Sequence, residues 1–200
     1  MVKRARRTFA IISLISALES SAWAAEVETG ASTSRTGPGL SFAYFGELVT
    51  HPGFAAGAKF SLFDGSWYDL TVGPTVGFYV HPRNHSGLFI DGELENRFTA
   101  AFGLFGTLGV AAGYYHTWLG GDGVYVRGDD GLVQKKFDWG RPHLKTGLSL
   151  GFGWDFEKNN LGPLRVFTRL DAFGQAPFNH AILPHVALQV GAVYRFGGSQ

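Results

Sequence analysis

The amino-acid sequence predicts an all-β protein, an eight-stranded antiparallel up-and-down transmembrane β-barrel preceded by a cleavable signal peptide. Three observations support this prediction: a secretory leader, eight segments rich in β-formers, and charged residues that alternate with apolar ones along those segments. Successive side chains of a strand point to opposite faces, so this alternation gives each strand one apolar and one polar face.

Residues 1–24 have the three parts of a signal peptide. Four basic residues among the first seven precede an apolar run over residues 9–18, and Ala-Trp-Ala at 22–24 is a typical cleavage site for signal peptidase. The apolar run is too short to cross about 30 Å of hydrocarbon as a retained helix. We therefore expect Sec export with cleavage after Ala24, in preference to the twin-arginine route that an Arg6-Arg7 pair weakly indicates.

The mature chain is nearly neutral and has no cysteine. Residues 1–24 carry four of the 17 basic and one of the 16 acidic residues, which leaves 13 against 15 and a formal charge of −2. This balance gives no indication of nucleic-acid binding, and the absence of cysteine excludes disulfides, thiolate metal sites and lipoprotein attachment. We expect residues 25–38 to form a flexible polar lead-in, residues 39–197 one barrel domain, and residues 198–200 a short tail.

Eight predicted strands span residues 40–49, 54–63, 68–80, 88–98, 102–117, 141–155, 164–173 and 185–196. The charged residues within them are all odd-numbered, which is a period of two. They are Glu47, Lys59, Asp69, Asp91, Glu93, Glu95, Arg97, Arg141, Lys145, Asp155, Arg165, Arg169, Asp171 and Arg195. The even-numbered positions are mostly Leu, Val, Phe, Ala and Tyr.

Two features favour a membrane barrel over a soluble barrel with an apolar cavity. The connections that follow the odd-numbered predicted strands include two long ones, at 118–140 and 174–184. Those that follow the second, fourth and sixth strands are short or modest, as in barrels with short periplasmic turns. Aromatic residues gather near both ends of the strands, where membrane interfaces would lie. They are Trp67, Trp154, Phe156 and Phe196 at one end, and Tyr79, Tyr114, Tyr115 and Trp118 at the other.

The last strand carries a specific motif, Gln-Val-Gly-Ala-Val-Tyr-Arg-Phe over residues 189–196. With Gln189, Gly191, Tyr194 and Phe196 in these positions, it resembles the carboxyl-terminal β-signal of bacterial outer-membrane proteins, although four residues follow Phe196. As a pattern of strands, residues 39–196 are similar to the small eight-stranded outer-membrane barrels of the OmpA transmembrane domain, OmpX and OmpW type. The resemblance implies a Gram-negative outer-membrane location, contact with outer-membrane lipids, insertion by the barrel-assembly machinery and a monomeric state.

The charged odd-numbered residues are expected to fill the lumen of such a barrel. An eight-stranded barrel is just wide enough inside to be filled by side chains, and the fourteen charges divide evenly in sign. All of them except Asp69 and Asp155 are assigned to an ion-pair network that plugs the lumen, because isolated buried charges are costly and paired ones are tolerated. A narrow ion pathway is the alternative, and it would be better indicated by an excess of one sign.

Few residues in the sequence favour an enzymatic function. Some outer-membrane barrels modify lipid A with Ser and His at the rim, and Asn84-His85-Ser86 is the place where these two residue types adjoin. Neighbours on a strand point to opposite faces and no acidic residue flanks them, so we predict no catalytic residues. We expect no cofactor.

The seven histidines all fall in or beside the connections on the predicted external side. Four of them, His81, His85, His143 and His185, are candidates for a metal site at the rim, although external loops are also where polar residues commonly lie. The sequence therefore favours a non-enzymatic barrel with a structural, adhesive or envelope-integrity role and external loops that act as an interaction surface. A lipid A deacylase or acyltransferase and a minor channel remain the alternatives.

Overall fold

The structure, a computed structural model, describes residues 37–82, 84–120, 124–178 and 181–196. Within these ranges, eight antiparallel strands form a closed barrel in the order β1-β2-β3-β4-β5-β8-β9-β10, and β10 pairs with β1. The barrel strands are β1 Gly39–Glu47, β2 His51–Asp64, β3 Tyr68–His81, β4 His85–Thr99, β5 Leu104–Leu119, β8 Arg141–Asp155, β9 Leu164–Phe178 and β10 Ala181–Arg195. The predicted fold class is therefore confirmed.

Two shorter strands and a single turn of helix complete the described chain. β6 (Val124–Arg127) and β7 (Val133–Lys136) form a hairpin between β5 and β8, and a 3₁₀ helix over Phe156–Asn159 follows β8. Among the described residues, no helix is long and apolar enough to span a membrane.

The β5–β8 connection, which contains this hairpin, lies at what we call the loop end of the barrel. The opposite end, where β1 begins and β10 ends, is called the terminal end. The predicted signal peptide lies outside the described residues.

The predicted long connection over residues 174–184 is wrong. β9 continues to Phe178 and β10 begins at Ala181, so the strands extend through most of this segment. Gly174, Pro177 and Pro184 favour turns locally, but Gly174 pairs with Pro184 across the two strands. Pairing between strands therefore overrides the local turn preference, and only the β5–β8 connection is long among the described loops.

The two faces of the barrel wall have opposite character. Large apolar side chains at even-numbered positions lie outside, such as Phe42, Leu148 and Leu150, each more than half exposed, whereas the buried residues include ten Asp, Glu, Lys and Arg side chains from Glu47 to Asp171. A soluble protein would bury the first set and expose the second. An apolar exterior around a polar interior is the pattern of a membrane barrel, in which a closed sheet also satisfies every backbone amide without water.

A β-bulge in β2 explains an exception to the odd–even rule. The pairing between β2 and β3 shifts between Ser61 and Phe63, so that Phe63 pairs with Leu70 and Asp64 with Asp69. An extra residue in one strand reverses which face later side chains occupy. Asp64, an even-numbered residue, therefore points into the lumen with the odd-numbered charges.

Part of the predicted aromatic belt lies inside the barrel. Tyr79 and Tyr115 are fully buried at the loop end of the lumen, where they pack with Phe45, Phe89 and Phe173. These five residues are called the aromatic cluster. The assignment of Tyr79 and Tyr115 to the interface is wrong, since both are odd-numbered and follow the same parity as the lumen charges.

The other aromatic residues lie on the outside, as expected. Tyr114 is exposed and Trp118 half-buried at the loop end, while Trp67 and Phe196 are exposed at the terminal end. Trp154 and Phe156 are half-buried.

Candidate functional site

The centre of the lumen is occupied by an ion-pair cluster built from strands on different sides of the barrel. Lys59 Nζ on β2 lies 3.0 Å from Glu93 Oε1 on β4, and Arg169 on β9 contacts the same carboxylate oxygen. Glu95 Oε2 lies 3.4 Å from Lys59 Nζ and 3.6 Å from Arg169 Nη1. Arg169 Nε lies 3.0 Å from Asp171 Oδ1 at an angle that does not make a hydrogen bond. These residues connect three walls of the barrel.

A second ion pair links this centre to the aromatic cluster. Lys145 on β8 binds the Asp91 carboxylate on β4. The same ammonium lies 4.2 Å from the ring centre of Phe89 and 4.8 Å from that of Phe173. A cation over aromatic faces gains an attraction from the ring quadrupoles, so Lys145 interacts with both Asp91 and the aromatic cluster.

Further pairs fill the terminal end of the lumen. Arg97 binds Asp69 through two guanidinium nitrogens, and Arg165 Nε donates to Asp155 Oδ2 at 2.7 Å. Arg195, the last residue of β10, lies 3.2 Å from Asp64 Oδ2. Glu157 in the 3₁₀ helix lies 3.6 Å from both Arg165 and Arg195. The charged layer thus extends from the middle of the barrel to this mouth.

Ten of the twelve residues assigned to the network from the sequence make ion pairs with other acidic or basic side chains in the lumen, and an eleventh, Glu47, contacts His51 and His185. Among the described residues Arg141 makes no ion pair and does not join the network, since it is the exposed first residue of β8. The ion-pair network predicted from the sequence omits Asp69 and Asp155, although both residues were placed on the lumen face. Asp64 was missed because the predicted second strand ended at residue 63, whereas β2 includes Asp64, and Glu157 because that residue lies outside a strand.

Little space remains within the charged layer. One cavity, between Lys59, Glu93 and Arg169, measures about 30 Å³, and another, beside Asp91 and Lys145, about 20 Å³. Each cavity therefore has about the volume that one water molecule occupies in the liquid, about 30 Å³, or less. At this level the lumen has no room for a hydrated ion or a small metabolite.

At the loop end, Glu47 holds two histidines. His51 Nδ1 lies 2.5 Å from Glu47 Oε2 and His185 Nδ1 lies 3.0 Å from Glu47 Oε1. His185 Nε2 is 3.1 Å from Gln175 Oε1. Glu47 therefore pairs with imidazoles, whereas the other lumen carboxylates pair with Lys or Arg.

The four candidate metal-binding histidines do not meet in one place. The rings of His81 and His85 lie 5.4 Å apart, but His185 is buried against Glu47 and His143 contacts Thr117 and the Pro177 carbonyl. His81 also stacks on His51, with 3.5 Å between ring centres. In the part of the chain that the structure describes, no group of three or more His, Asp or Glu side chains is arranged to hold a metal ion. His180 lies outside that part.

His85 and Ser86 lie on opposite faces of β4. His85 Nε2 is 3.0 Å from the Tyr79 hydroxyl inside the barrel, whereas Ser86 has the parity of the outer face and pairs with Trp118. The geometry therefore does not form a Ser–His pair from these two residues.

The closing strand gives a structural role to two residues of the predicted assembly signal. Gln189 is buried, and its amide donates to Asp171. Gly191 faces β1 so closely that a Cβ atom would lie 2.4 Å from the Phe42 carbonyl oxygen and 2.6 Å from Ala43 Cβ. Tyr194 and Phe196 lie on the outer face with their ring centres 5.1 Å apart.

The fold and its filled lumen define a small transmembrane β-barrel with the architecture of the outer-membrane type. No protein-family model and no curated protein matches the sequence.

Among solved structures, the chain is similar to the outer membrane enzyme PagL (TM-score 0.47, 10% identity, 79% of this chain and 99% of that chain covered). It is similar to Neisserial surface protein A (TM-score 0.49, 11% identity, 80% and 96% covered). It is also similar to the N-terminal β-barrel domain of Pseudomonas aeruginosa OprF (TM-score 0.46, 14% identity, 79% and 97% covered). Function has to be argued from this chain's own residues.

Proposed function

We propose that this protein is a non-enzymatic, non-conducting integral barrel of the bacterial outer membrane, with a structural or adhesive role at its external end. The observation that carries the proposal is the central cluster of Lys59, Glu93 and Arg169, which joins three walls of the barrel. Charges that pair with one another across the lumen hold the wall together and occupy the space through which an ion would have to pass. The loop end would then be the surface that acts on the exterior.

Planar-bilayer conductance tests the closed lumen. The purified mature chain should give no discrete current steps, because the cavities beside the central cluster have about the volume of a water molecule. The variant Lys59→Ala, Glu93→Ala, Glu95→Gln, Arg169→Ala and Asp171→Asn removes the cluster without leaving an unpaired charge in it, and it should give small steps. Steps of equal size in both proteins would contradict the plug and favour a narrow channel.

The enzymatic alternative predicts a chemical change in the membrane. Lipid A from cells with and without the protein should have identical mass spectra if the proposal is correct. Loss or gain of an acyl chain that depends on the protein would contradict it and favour a deacylase or an acyltransferase.

We propose the outer membrane as the location, reached by Sec export, because the exterior is apolar and the last strand has the pattern of a β-signal. The protein should fractionate with outer membranes and migrate differently on gels when it is left unheated, as closed barrels do. The lumen is complete within one chain, which supports a monomer. Recovery as a soluble periplasmic protein would contradict both the location and the orientation of the barrel wall.

A further inference from the structure

The base of the β6–β7 hairpin combines exposed aromatic and basic residues. Phe137 and Trp139 are 73% and 79% exposed, and their rings make an edge contact at 5.1 Å. Lys135, Lys136 and Arg141 around them are also exposed. These five residues are called the loop base. Large exposed rings beside basic residues are uncommon on a surface that meets only water.

The loop base is fixed to the outer face of the barrel. His116, on the even-numbered outer face of β5, donates from Nε2 to the Trp139 carbonyl at 3.0 Å. Its Nδ1 lies 2.6 Å from the hydroxyl of Tyr114, and its ring lies 4.4 Å from that of Trp118. Tyr114 and Trp118 have the outward parity of the apolar wall, so the loop base continues the aromatic belt at the loop end.

Among the described residues, the charges of the loop base have no partner of opposite sign. Asp138 is the acidic residue closest to them in sequence, and both of its oxygens are used by backbone amides: Oδ2 accepts from Leu119 N at 2.6 Å and Oδ1 from Gly140 N at 3.0 Å. Within the described ranges, none of the three basic side chains of the loop base makes an ion pair. Three positive charges therefore remain available beside the aromatic belt.

The terminal end of the barrel differs in this respect. There, Lys158 donates to the Ser66 carbonyl at 2.6 Å, and Arg165 and Arg195 are held by carboxylates. Aromatic residues are exposed at both ends, but among the described residues three basic side chains without an ion pair lie beside them at the loop end and one, Lys158, at the terminal end. The asymmetry points to a negatively charged membrane surface on that side.

We propose that the loop base binds phosphate-bearing lipid headgroups of the leaflet that surrounds the loop end, with Phe137 and Trp139 in the interface and Lys135, Lys136 and Arg141 on the phosphates. Aromatic rings are stable at headgroup depth, and basic side chains beside a membrane are attracted to anionic headgroups. This inference rests on the proposed membrane location and names a partner for the external end.

Lipid titration followed by native mass spectrometry tests the inference on the purified mature chain in detergent. The probes are phosphatidic acid, which has an anionic phosphate, and phosphatidylcholine, which is zwitterionic. The double variant Lys135→Gln with Lys136→Gln should weaken phosphatidic acid retention by about 25-fold, at about fivefold for each cation. It should leave phosphatidylcholine retention unchanged.

Two controls separate position from charge. Arg127→Gln removes a positive charge nearer the tip of the same hairpin and should leave phosphatidic acid retention unchanged. Lys135→Arg with Lys136→Arg keeps both charges and should retain the lipid as the original chain does. Equal retention by the glutamine variant and the original chain would overturn the inference.

A second measurement reports depth. The chain has no cysteine, so Phe137→Cys can carry a single spin label after reconstitution into vesicles that contain phosphatidic acid. Collisions with oxygen should exceed those with a water-soluble nickel reagent at this site, whereas a label at Gly131→Cys in the hairpin turn should show the reverse. A fully water-exposed label at position 137 would overturn the inference.

The outcomes also distinguish this inference from the proposed function. A chain that fails to insert into vesicles contradicts both. A chain that inserts normally but retains phosphatidic acid no better than phosphatidylcholine contradicts the loop base alone. Dimers that dissociate in the glutamine variant would assign the surface to a second copy of this chain and contradict the lipid partner.

Discussion

Lys59 on β2 and Glu93 on β4 meet at 3.0 Å inside the barrel although their strands are not neighbours. Arg169 reaches the same carboxylate from β9, on the other side of the lumen. Contacts between non-adjacent strands resist changes in the cross-section of the barrel, whereas hydrogen bonds between neighbouring strands tolerate such changes. The charges therefore contribute to the shape of the barrel as well as filling it.

Arg169→Glu should destabilise the barrel. The new carboxylate would face Glu93, Glu95 and Asp171 with Lys59 as the remaining nearby cation. Breaking a buried ion pair costs about 3 to 5 kcal/mol in free energy of unfolding. Urea unfolding in detergent micelles measures this loss.

Lys136→Glu is the matched control for Arg169→Glu. It makes the same change of charge on the exposed hairpin, and it should alter the unfolding free energy by less than about 0.5 kcal/mol. An unchanged midpoint for Arg169→Glu would mean that water reaches the central cluster and that the lumen is not plugged.

Phe45→Ala and Phe42→Ala test the two faces of one strand. Phe45 is buried in the aromatic cluster, so its removal leaves a cavity and should cost about 3 to 5 kcal/mol. Phe42 is 64% exposed on the outer face, and its removal should cost less than about 1.5 kcal/mol. The free energies of unfolding of the two variants are compared in the same detergent. A larger loss for Phe42→Ala would mean that the apolar exterior is buried in another assembly.

The parity of charged residues was sufficient to predict the barrel and the content of its central lumen. The same parity, applied to aromatic residues, would have placed Tyr79 and Tyr115 inside with Phe45, Phe89 and Phe173, because all five are odd-numbered. Their position near the strand ends instead predicts an interface location for Tyr79 and Tyr115. Residue type and position alone do not separate a belt from a lumen cluster; the side-chain parity does.

Other features could not be read from a local pattern. Asp64 turns inward because one extra residue in β2 shifts its pairing with β3, and a bulge depends on the partner strand. Arg141 has the lumen parity but lies at the very start of β8, where no opposing carboxylate reaches it. The extent of β9 and β10 was missed because proline and glycine there suggested a turn.

Gly191→Ala should weaken the closure between β10 and β1. Its added Cβ would lie 2.4 Å from the Phe42 carbonyl oxygen, so the backbones must separate, at a cost of about 1 to 3 kcal/mol. Gly92→Ala is the matched control, because the nearest atom to its Cβ, the Ala112 carbonyl oxygen, is 3.9 Å away. The free energy of unfolding of each variant is measured with urea. Equal stability of the two variants would mean that the β1–β10 seam is looser than the structure shows.

Export should remove residues 1–24. The leader ends in Ala-Trp-Ala, and signal peptidase recognises small residues at these positions. Mass spectrometry of the protein from the membrane fraction should give a mature chain that begins at Ala25. Retention of the leader in the membrane-inserted protein would contradict the assignment to the outer membrane.

Phe196→Ser should reduce insertion in cells far more than it reduces the stability of the finished barrel. Phe196 is partly exposed on the outer face beside Tyr194, and burial of one aromatic ring contributes about 1.5 to 3 kcal/mol. That loss is modest for a closed barrel, whereas a missed recognition step by the assembly machinery leaves the whole chain in the periplasm.

The control for Phe196→Ser is Phe178→Ser, which changes an aromatic residue of similar exposure at the end of β9, where the structure places it in the strand pairing with Ala181. The experiment compares the amount inserted in cells with the yield of refolding of each purified variant into detergent. Both variants should refold almost as the original chain does, because neither ring belongs to the lumen. In cells, Phe178→Ser should insert normally and Phe196→Ser should not, since the machinery reads the last strand. Small and equal effects of both substitutions in cells would show that Tyr194 and Phe196 serve the membrane interface and carry no assembly signal.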